Sequence, residues 1–276
     1  MGIIDEMKKS ASKSGVKLQT ADETKLEYLL NRTFFLDKNI EKETAFIKHI
    51  MTRGQESSER VGLHASSFIK SDADFCLREQ VLSLVYRQLQ GEQIPPGLMR
   101  IFEEGNSVHE KWQRLFIRAG FSDVLDLDFT RINKKFRISF TPDIICEIPE
   151  FYKGKMVGEI KSMNTHQFKR GNKHPSAGKQ LQWYMYLTGI HKGFVLVEDK
   201  NDQNFRIELY DYDSKIVEPY IDRAQAVKNA YIDLIKNKRM IKRPAFAKTK
   251  DSKRCEKCVM KLSCYNLKGG KVKIKC

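Results

Sequence analysis

The chain lacks most of what marks exported, membrane-bound and scaffold proteins. No stretch approaches the roughly 20 apolar residues that a membrane span needs. No apolar signal core follows the opening Met1-Gly2-Ile3-Ile4-Asp5-Glu6. Glu6 stands where N-myristoylation wants Ser or Thr. Six cysteines in 276 residues are too sparse for a disulfide scaffold. There is no internal repeat, no long low-complexity tract and no Gly-x4-Gly-Lys-Ser/Thr loop. These absences predict a cytoplasmic (intracellular) protein with no membrane partner. Its cysteines are then reduced thiols or metal ligands.

What the chain does have is a hydrophobic content of 41%, enough for a packed core, and a formal net charge of +15. The charge is concentrated. Residues 236–276 carry 15 Lys or Arg against two acids, Asp251 and Glu256, which is +13 of the total. A second acid-free window runs from Ile160 to Val197. Concentrated positive charge binds polyanions, because neutralising phosphates releases counterions. Nucleic acid is therefore the first candidate partner.

The hydrophobic pattern predicts a mixed α/β protein with helical additions. Residues 1–19 read as a polar arm. Thr20-Ala21-Asp22-Glu23 has capping-box spacing and predicts a helix reaching about Met51. Residues 74–90 and about 97–119 carry helical periodicity; Gly105 and His109 share the apolar face with Trp112. Gly105 on that face would let the backbone approach the sheet. Three strands are expected at 123–131, 135–147 and 154–162, then a helix over 177–187, introduced by Pro175-Ser176. Strands at 193–198 and 205–210 and a long helix over 214–238 complete the pattern. The expected organisation is an arm and helical extension over 1–73, a core over 74–238 and a basic Cys-bearing tail over 239–276.

Two strands carry the chemistry. Glu159 and Lys161 are two apart and share a face, and Asp143 precedes them on a neighbouring strand. Adjacent carboxylates repel unless something cationic lies between them, and a divalent metal is the usual answer. Metal-bound water can become a nucleophile, and a nearby lysine can orient it. On the following helix Gln180 and Tyr184 are i, i+4 neighbours that can bond phosphate oxygens. Glu-x-Lys alone is uninformative, since it recurs at Glu6/Lys8, Glu23/Lys25 and Glu198/Lys200.

Taken in order, Gly105-x3-His109, Pro142-Asp143, Glu159-x-Lys161 and Gln180-x3-Tyr184 resemble the RecB-like branch of the PD-(D/E)XK nucleases over about residues 97–190. The resemblance implies a restriction-endonuclease-like core with a central mixed sheet flanked by helices. It implies that His109, Asp143, Glu159 and the Ile160 carbonyl hold Mg²⁺ or Mn²⁺. Lys161 would then position or activate the attacking water, with Gln180 and Tyr184 completing the site.

Cys255-x2-Cys258-x5-Cys264 has metal-ligand spacing and needs a fourth ligand. Cys76, Cys146, Cys276 or a histidine are candidates, although Cys146 reads as a buried core thiol. The layout is similar to that of RecB-like proteins with an iron–sulfur cluster, AddB-type nuclease domains and CRISPR-associated RecB-like exonucleases. In these one cysteine precedes the core, with Arg two residues on, and three follow it. Cys76 with Arg78, then Cys255, Cys258 and Cys264 match, with Leu77 where Pro is usual. The resemblance implies a 4Fe-4S cluster; a zinc site is the alternative. The cluster's expected role is structural.

The expected activity is metal-dependent hydrolysis of DNA, as an exonuclease on ends, with single strands as the implied substrate. Lys169, Arg170, Lys173 and His174, with Arg78, would grip the backbone. Phe168, Trp183 or Tyr186 are candidates for base stacking, with core packing the competing role for Trp183. The alternatives are an endonuclease, an end-trimming subunit of a recombination or CRISPR complex, or a cluster-stabilised DNA-binding module without activity. Any unwinding would come from a helicase partner.

Overall fold

In the computed structural model, residues 19–34, 39–53, 63–86, 96–127, 130–171, 173–174, 176–247, 252–256, 258, 260–267 and 270–271 are described. In chain order the elements are α1 (Ala21–Phe34), α2 (Ile40–Arg53), β1 (Leu63–His64), α3 (Leu77–Val85), α4 (Pro96–Arg118), β2 (Arg131–Asn133), β3 (Ile138–Phe140), β4 (Ile144–Ile148) and β5 (Tyr152–Met163). They continue with α5 (Thr165–Lys169), α6 (Ala177–Thr188), β6 (Lys192–Asp199), β7 (Phe205–Asp211), α7 (Ser214–Asn237), β8 (Arg239–Met240), α8 (Lys253–Glu256), α9 (Lys261–Asn266) and β9 (Gly270–Lys271). They fall into two units, one drawing on Met1–Ser58, Met99–Thr130 and Thr141–Asp213, the other on Glu59–Leu98, Arg131–Phe140 and Ser214–Cys276.

The first unit is built on a four-stranded sheet of order β4-β5-β6-β7. β4 and β7 run antiparallel to their neighbours, while β5 and β6 are parallel. A parallel pair needs a crossover, and α5 and α6 supply it. The sheet is thus mixed and flanked by helices, as the resemblance implies. β5 is buried on both faces from Met156 to Ile160, the mark of a central strand. Met156 and Ile160 belong to one core cluster with Trp112 and Phe116 of α4, Leu26 and Leu30 of α1, and Phe194 and Leu196 of β6. Phe116 stacks on Phe194 at 5.8 Å between centroids, and the Trp112 ring meets Phe205 edge-on at 4.7 Å. Burial of each such side chain contributes roughly 1.5–3 kcal/mol. Gly158 is fixed by this packing, since a Cβ there would meet the Phe194 ring at 2.6 Å.

The helix expected from Thr20 to Met51 is two helices. The capping box is formed: Thr20 N–H donates to Glu23 Oε2 at 2.8 Å, and Glu23 N–H to Thr20 Oγ1 at 3.2 Å. α1 ends at Phe34, and α2 begins after Asn39, a residue whose side chain competes with helical bonding. Glu23 also receives the Leu209 N–H of β7 at 3.0 Å, so the cap docks α1 on the sheet. The helix placed at 74–90 is described over Leu77–Val85, and residues 87–95 lie outside the described set. The other long helices match their expected ranges to within a residue or so. α6 ends at Gly189, whose φ of 73° lets its N–H reach the Met185 carbonyl at 2.9 Å.

Two strand expectations need correction. Within 123–131, Val124–Asp126 form a 3-10 turn, and Leu127 makes only an isolated bridge to Ile144. The strand expected over 135–147 is two strands, β3 and β4. They are separated at Thr141-Pro142-Asp143, where Pro142 has no N–H to give to a ladder.

The second unit holds a small sheet of order β1-β3-β2, an antiparallel β8/β9 pair, and α3 packed against α7 and α9. Arg223 of α7 donates to the Phe68 and Lys70 carbonyls at 2.6 and 2.5 Å and lies over the Phe75 ring. Arg254 of α8 donates to the Phe75 carbonyl at 2.7 Å. Two arginines therefore hold the segment leading to Cys76. Among the described residues no helix is long and apolar enough to cross a membrane.

Candidate active site

The break at Pro142 makes the site. β4 starts at Ile144, which pairs with Gly158, so the stretch of β5 beyond Gly158 has no β4 neighbour. Asp143 occupies that edge. Its Oδ2 accepts the Ile160 N–H at 2.8 Å, taking the place of a strand partner. N–H and C=O of one strand residue lie on the same edge, so the Ile160 carbonyl also faces Asp143's edge. Asp143 Oδ1 lies 3.4 Å from His109 Nδ1 of α4. Glu159 and Lys161 take alternate positions on β5, opposite in facing to Met156 and Ile160. The Lys161 ammonium is bonded to Glu159 Oε1. Glu159 is fully buried, and its Oε2 has no hydrogen-bond partner. Gln180 Nε2 donates to the Tyr184 hydroxyl at 3.1 Å on α6.

Electrostatics separate the two carboxylates. Burial and the neighbouring Asp143 charge push Glu159 up from 4.5 to about 7, against the pull of Lys161 and His109. Burial pushes Asp143 the same way, but His109, Lys161 and the Ile160 N–H outweigh it and hold it below the usual range. Burial lowers His109 and Lys161, yet the carboxylates prevail and raise both. Tyr184 is raised by burial and by the charges of Glu159 and Asp143, which ties α6 to the same field. One carboxylate kept ionised and one near neutrality is a common active-site arrangement. Two buried carboxylates, an imidazole and an orphaned Oε2 form a donor set that suits a hard divalent cation. Among the described residues, however, no three His, Cys, Asp or Glu side chains close on one ion as they stand.

Gln113 was not anticipated. It is buried one helical turn after His109, and its Nε2 donates to the Asp143 carbonyl at 2.8 Å. The i, i+4 spacing from His109 is the signal that could have found it. Gly105 corrects an expectation: a Cβ there would meet nothing within 4 Å, so no close approach requires it.

Of the residues read as a DNA grip, Lys169 and Arg170 are exposed at the end of α5. Lys173 is half-buried, its ammonium 4.4 Å from the Tyr210 ring centroid. His174 accepts the Ala177 N–H at 3.3 Å, serving the N-terminus of α6, and its pKa is lowered by burial, Lys161 and Arg206. Trp183 is fully buried and stacks on Tyr186, so it presents no platform for a base. Arg78 is 1% exposed and does not face solvent. A separate hollow in the same unit, lined by residues including Lys42, Asp123, Asp126 and Lys155, has its lysines paired with those aspartates at 2.5 and 3.0 Å.

In the second unit Cys76 caps α3, Cys255 lies on α8, Cys258 follows it, and Cys264 lies on α9. The thiols act on one another. Burial raises Cys76, with the Glu79 charge and then Cys264 adding to it. Burial pushes Cys258 up to about 11, with Glu79 and then Cys76 and Cys255 adding. The Arg78 Nε–H donates to Cys264 Sγ at 3.2 Å. Cys146 is a buried core thiol.

No family model and no curated protein matches the chain. Solved structures give distant likenesses. The crystal structure of LHK-Exo in complex with dAMP is 17% identical with a TM-score of 0.47, covering 65% of this chain and 94% of that one. An alkaline exonuclease (LHK-Exo) from Laribacter hongkongensis is 17% identical with a TM-score of 0.46, covering 68% and 97%. The crystal structure of SSO0001 is 16% identical with a TM-score of 0.40, covering 66% and 84%. At these values the likeness carries no functional argument.

Proposed function

We propose that the chain is a metal-dependent deoxyribonuclease of the RecB-like PD-(D/E)XK type, acting as an exonuclease on single-stranded DNA ends. The observation that carries this is the buried Asp143–Glu159 pair, with Lys161 on one Glu159 oxygen and no hydrogen-bond partner on the other. Mg²⁺ or Mn²⁺ bound there would supply Lewis acidity to the phosphate and a lowered pKa to water. The remaining work falls to the chain. His109, Asp143, Glu159 and the Ile160 carbonyl are the ligand candidates. Lys161 orients the attacking water and stabilises charge on the phosphate, and Gln113 holds the Asp143 backbone. Gln180 and Tyr184 offer an amide and a phenol to phosphate oxygens. Lys169 and Arg170, exposed beside the crossover, carry the nucleic-acid backbone.

The same reading gives the second unit a 4Fe-4S cluster on Cys76, Cys255, Cys258 and Cys264. Cys264 adds to the raising of Cys76, and Cys76 and Cys255 to that of Cys258, yet among the described residues no three close on a single ion. A cluster takes one thiolate per iron, and the four cysteines supply that number; a zinc site on the same four is the alternative.

The test is cleavage of end-labelled single-stranded DNA by anaerobically purified protein with Mg²⁺ or Mn²⁺, beside Lys161→Ala. Metal-dependent cleavage by wild type alone is expected, with circular single strands left intact. Cutting of circles would make it an endonuclease. DNA binding without cleavage under either metal would overturn the nuclease reading in favour of a binding module.

A further inference from the structure

Arg78 is the one residue of the expected DNA grip that the fold withdraws from solvent, and its surroundings are unusual for a buried cation. An arginine stays protonated wherever it is placed, and a buried charge is costly unless an opposite charge meets it. Arg78 is 1% exposed. Its guanidinium donates to the Ile241 carbonyl, to the Cys264 carbonyl at 3.2 Å and to the Leu267 carbonyl at 2.6 Å. Its Nε–H donates to Cys264 Sγ at 3.2 Å. Among the described residues no carboxylate pairs with it; the adjacent Glu79 pairs with Lys70 at 3.5 Å. The fork is nearly satisfied in hydrogen bonds but unmatched in charge. The group in direct contact with it that can carry negative charge is the Cys264 sulfur; the Glu79 carboxylate, whose charge reaches Cys76 and Cys258, is taken up by Lys70.

We propose that Arg78 is the internal counter-ion of a thiolate-ligated cluster, donating one hydrogen bond to the Cys264 sulfur and balancing the negative charge that four thiolates bring. The inference rests on the 4Fe-4S reading of Cys76, Cys255, Cys258 and Cys264. Arg78 is here a positioning residue: it touches a ligand sulfur and fixes α9 through the Cys264 and Leu267 carbonyls. Net charge and hydrogen bonds to sulfur are among the terms that set a cluster's reduction potential. A fixed cation and a sulfur-directed donor both favour the reduced form, which carries one more electron. Removing them therefore moves the potential to more negative values. A guanidinium serving only to staple carbonyls would affect folding and leave the potential where it was.

The experiment compares wild type, Arg78→Lys, Arg78→Gln and Arg78→Met, each purified anaerobically as the full chain. Iron and acid-labile sulfide per chain are measured, with the midpoint potential from titration with dithionite, which delivers one electron to the cluster without forming or breaking a bond to protein. Circular dichroism reports folding. The expected result is a more negative midpoint in each variant, with a larger shift for Met than for Lys, and faster loss of iron in air. Should Arg78→Met fail to fold, Arg78→Gln decides, because it keeps amide donors and loses the charge. Wild type with a cluster and variants with unchanged midpoint and iron retention would overturn the role of Arg78 and leave the cluster standing. Wild type lacking iron, or holding zinc instead, would overturn the cluster reading and this inference with it.

Discussion

Replacing Glu159 by Gln should make the metal-free protein more stable than wild type at pH 8, an unusual outcome for a substitution at a proposed active site. Glu159 is fully buried and raised from 4.5 to about 7, first by burial and then by Asp143. Between those values the unfolded chain has released its proton and the folded chain has kept it. Stability therefore falls as pH rises through the window and levels off above it. At ~1.4 kcal/mol per pH unit the loss comes to about 3 kcal/mol. Gln keeps the shape, turns its amide oxygen to Lys161 and does not titrate. Asp143 titrates below this window, because its pKa is held down. His109 is raised, so its contribution is full at low pH and is lost as pH climbs through its folded value. Its partner Asp143 remains in both proteins, so comparing them isolates Glu159 to first order. Thermal unfolding in EDTA from pH 4.5 to 8 is the assay. The two melting curves should meet near pH 4.5 and separate by about 6–12 °C at pH 8, taking ~2–4 °C per kcal/mol for chains of this order of size. Saturating Mg²⁺ should then raise wild type by about 2.7 kcal/mol at a hundredfold excess over its dissociation constant and raise the variant far less. Parallel pH profiles would refute the argument that Glu159 is held under charge strain.

Three further outcomes follow from the same geometry. Lys161→Ala should lower cleavage of end-labelled DNA by about 10²–10⁴-fold while filter binding of the same DNA persists. Gln113→Ala frees the Asp143 backbone, and loss of such a supporting bond should weaken metal affinity or activity about 10–100-fold, read by metal titration of the folded variant. Gly158→Ala drives a methyl group to 2.6 Å from the Phe194 ring in the core, and calorimetry should record a destabilisation of about 1–3 kcal/mol.

Local periodicity made much of the first unit legible. Glu159 and Lys161 were placed on one face by the period of a strand, and Thr20 with Glu23 by the reciprocity of a capping box, because each signal is complete within a few residues. What the sequence concealed came from contacts made across long separations or from a single irregular residue. Residues 135–147 read as one strand because their apolar alternation continues through Thr141-Pro142-Asp143; only the missing ladder bond at Pro142 divides them. That division matters chemically. An Asp143 inside a continuous strand would have its neighbours committed to β5, whereas after the break its carboxylate replaces a strand partner at the Ile160 N–H. Arg78 failed for a different reason. Counting charges along the chain treats every arginine as a surface arginine, and nothing near Arg78 in sequence reveals that its acceptors lie at Ile241, Cys264 and Leu267. His174 likewise reads as one more basic residue of an acid-free loop until the Ala177 N–H claims its Nδ1. In a chain of net charge +15, composition therefore makes a polyanion the expected partner. Composition does not tell which cations are accessible; burial does, and it leaves Lys169 and Arg170 facing solvent while Arg78 is turned inward toward sulfur.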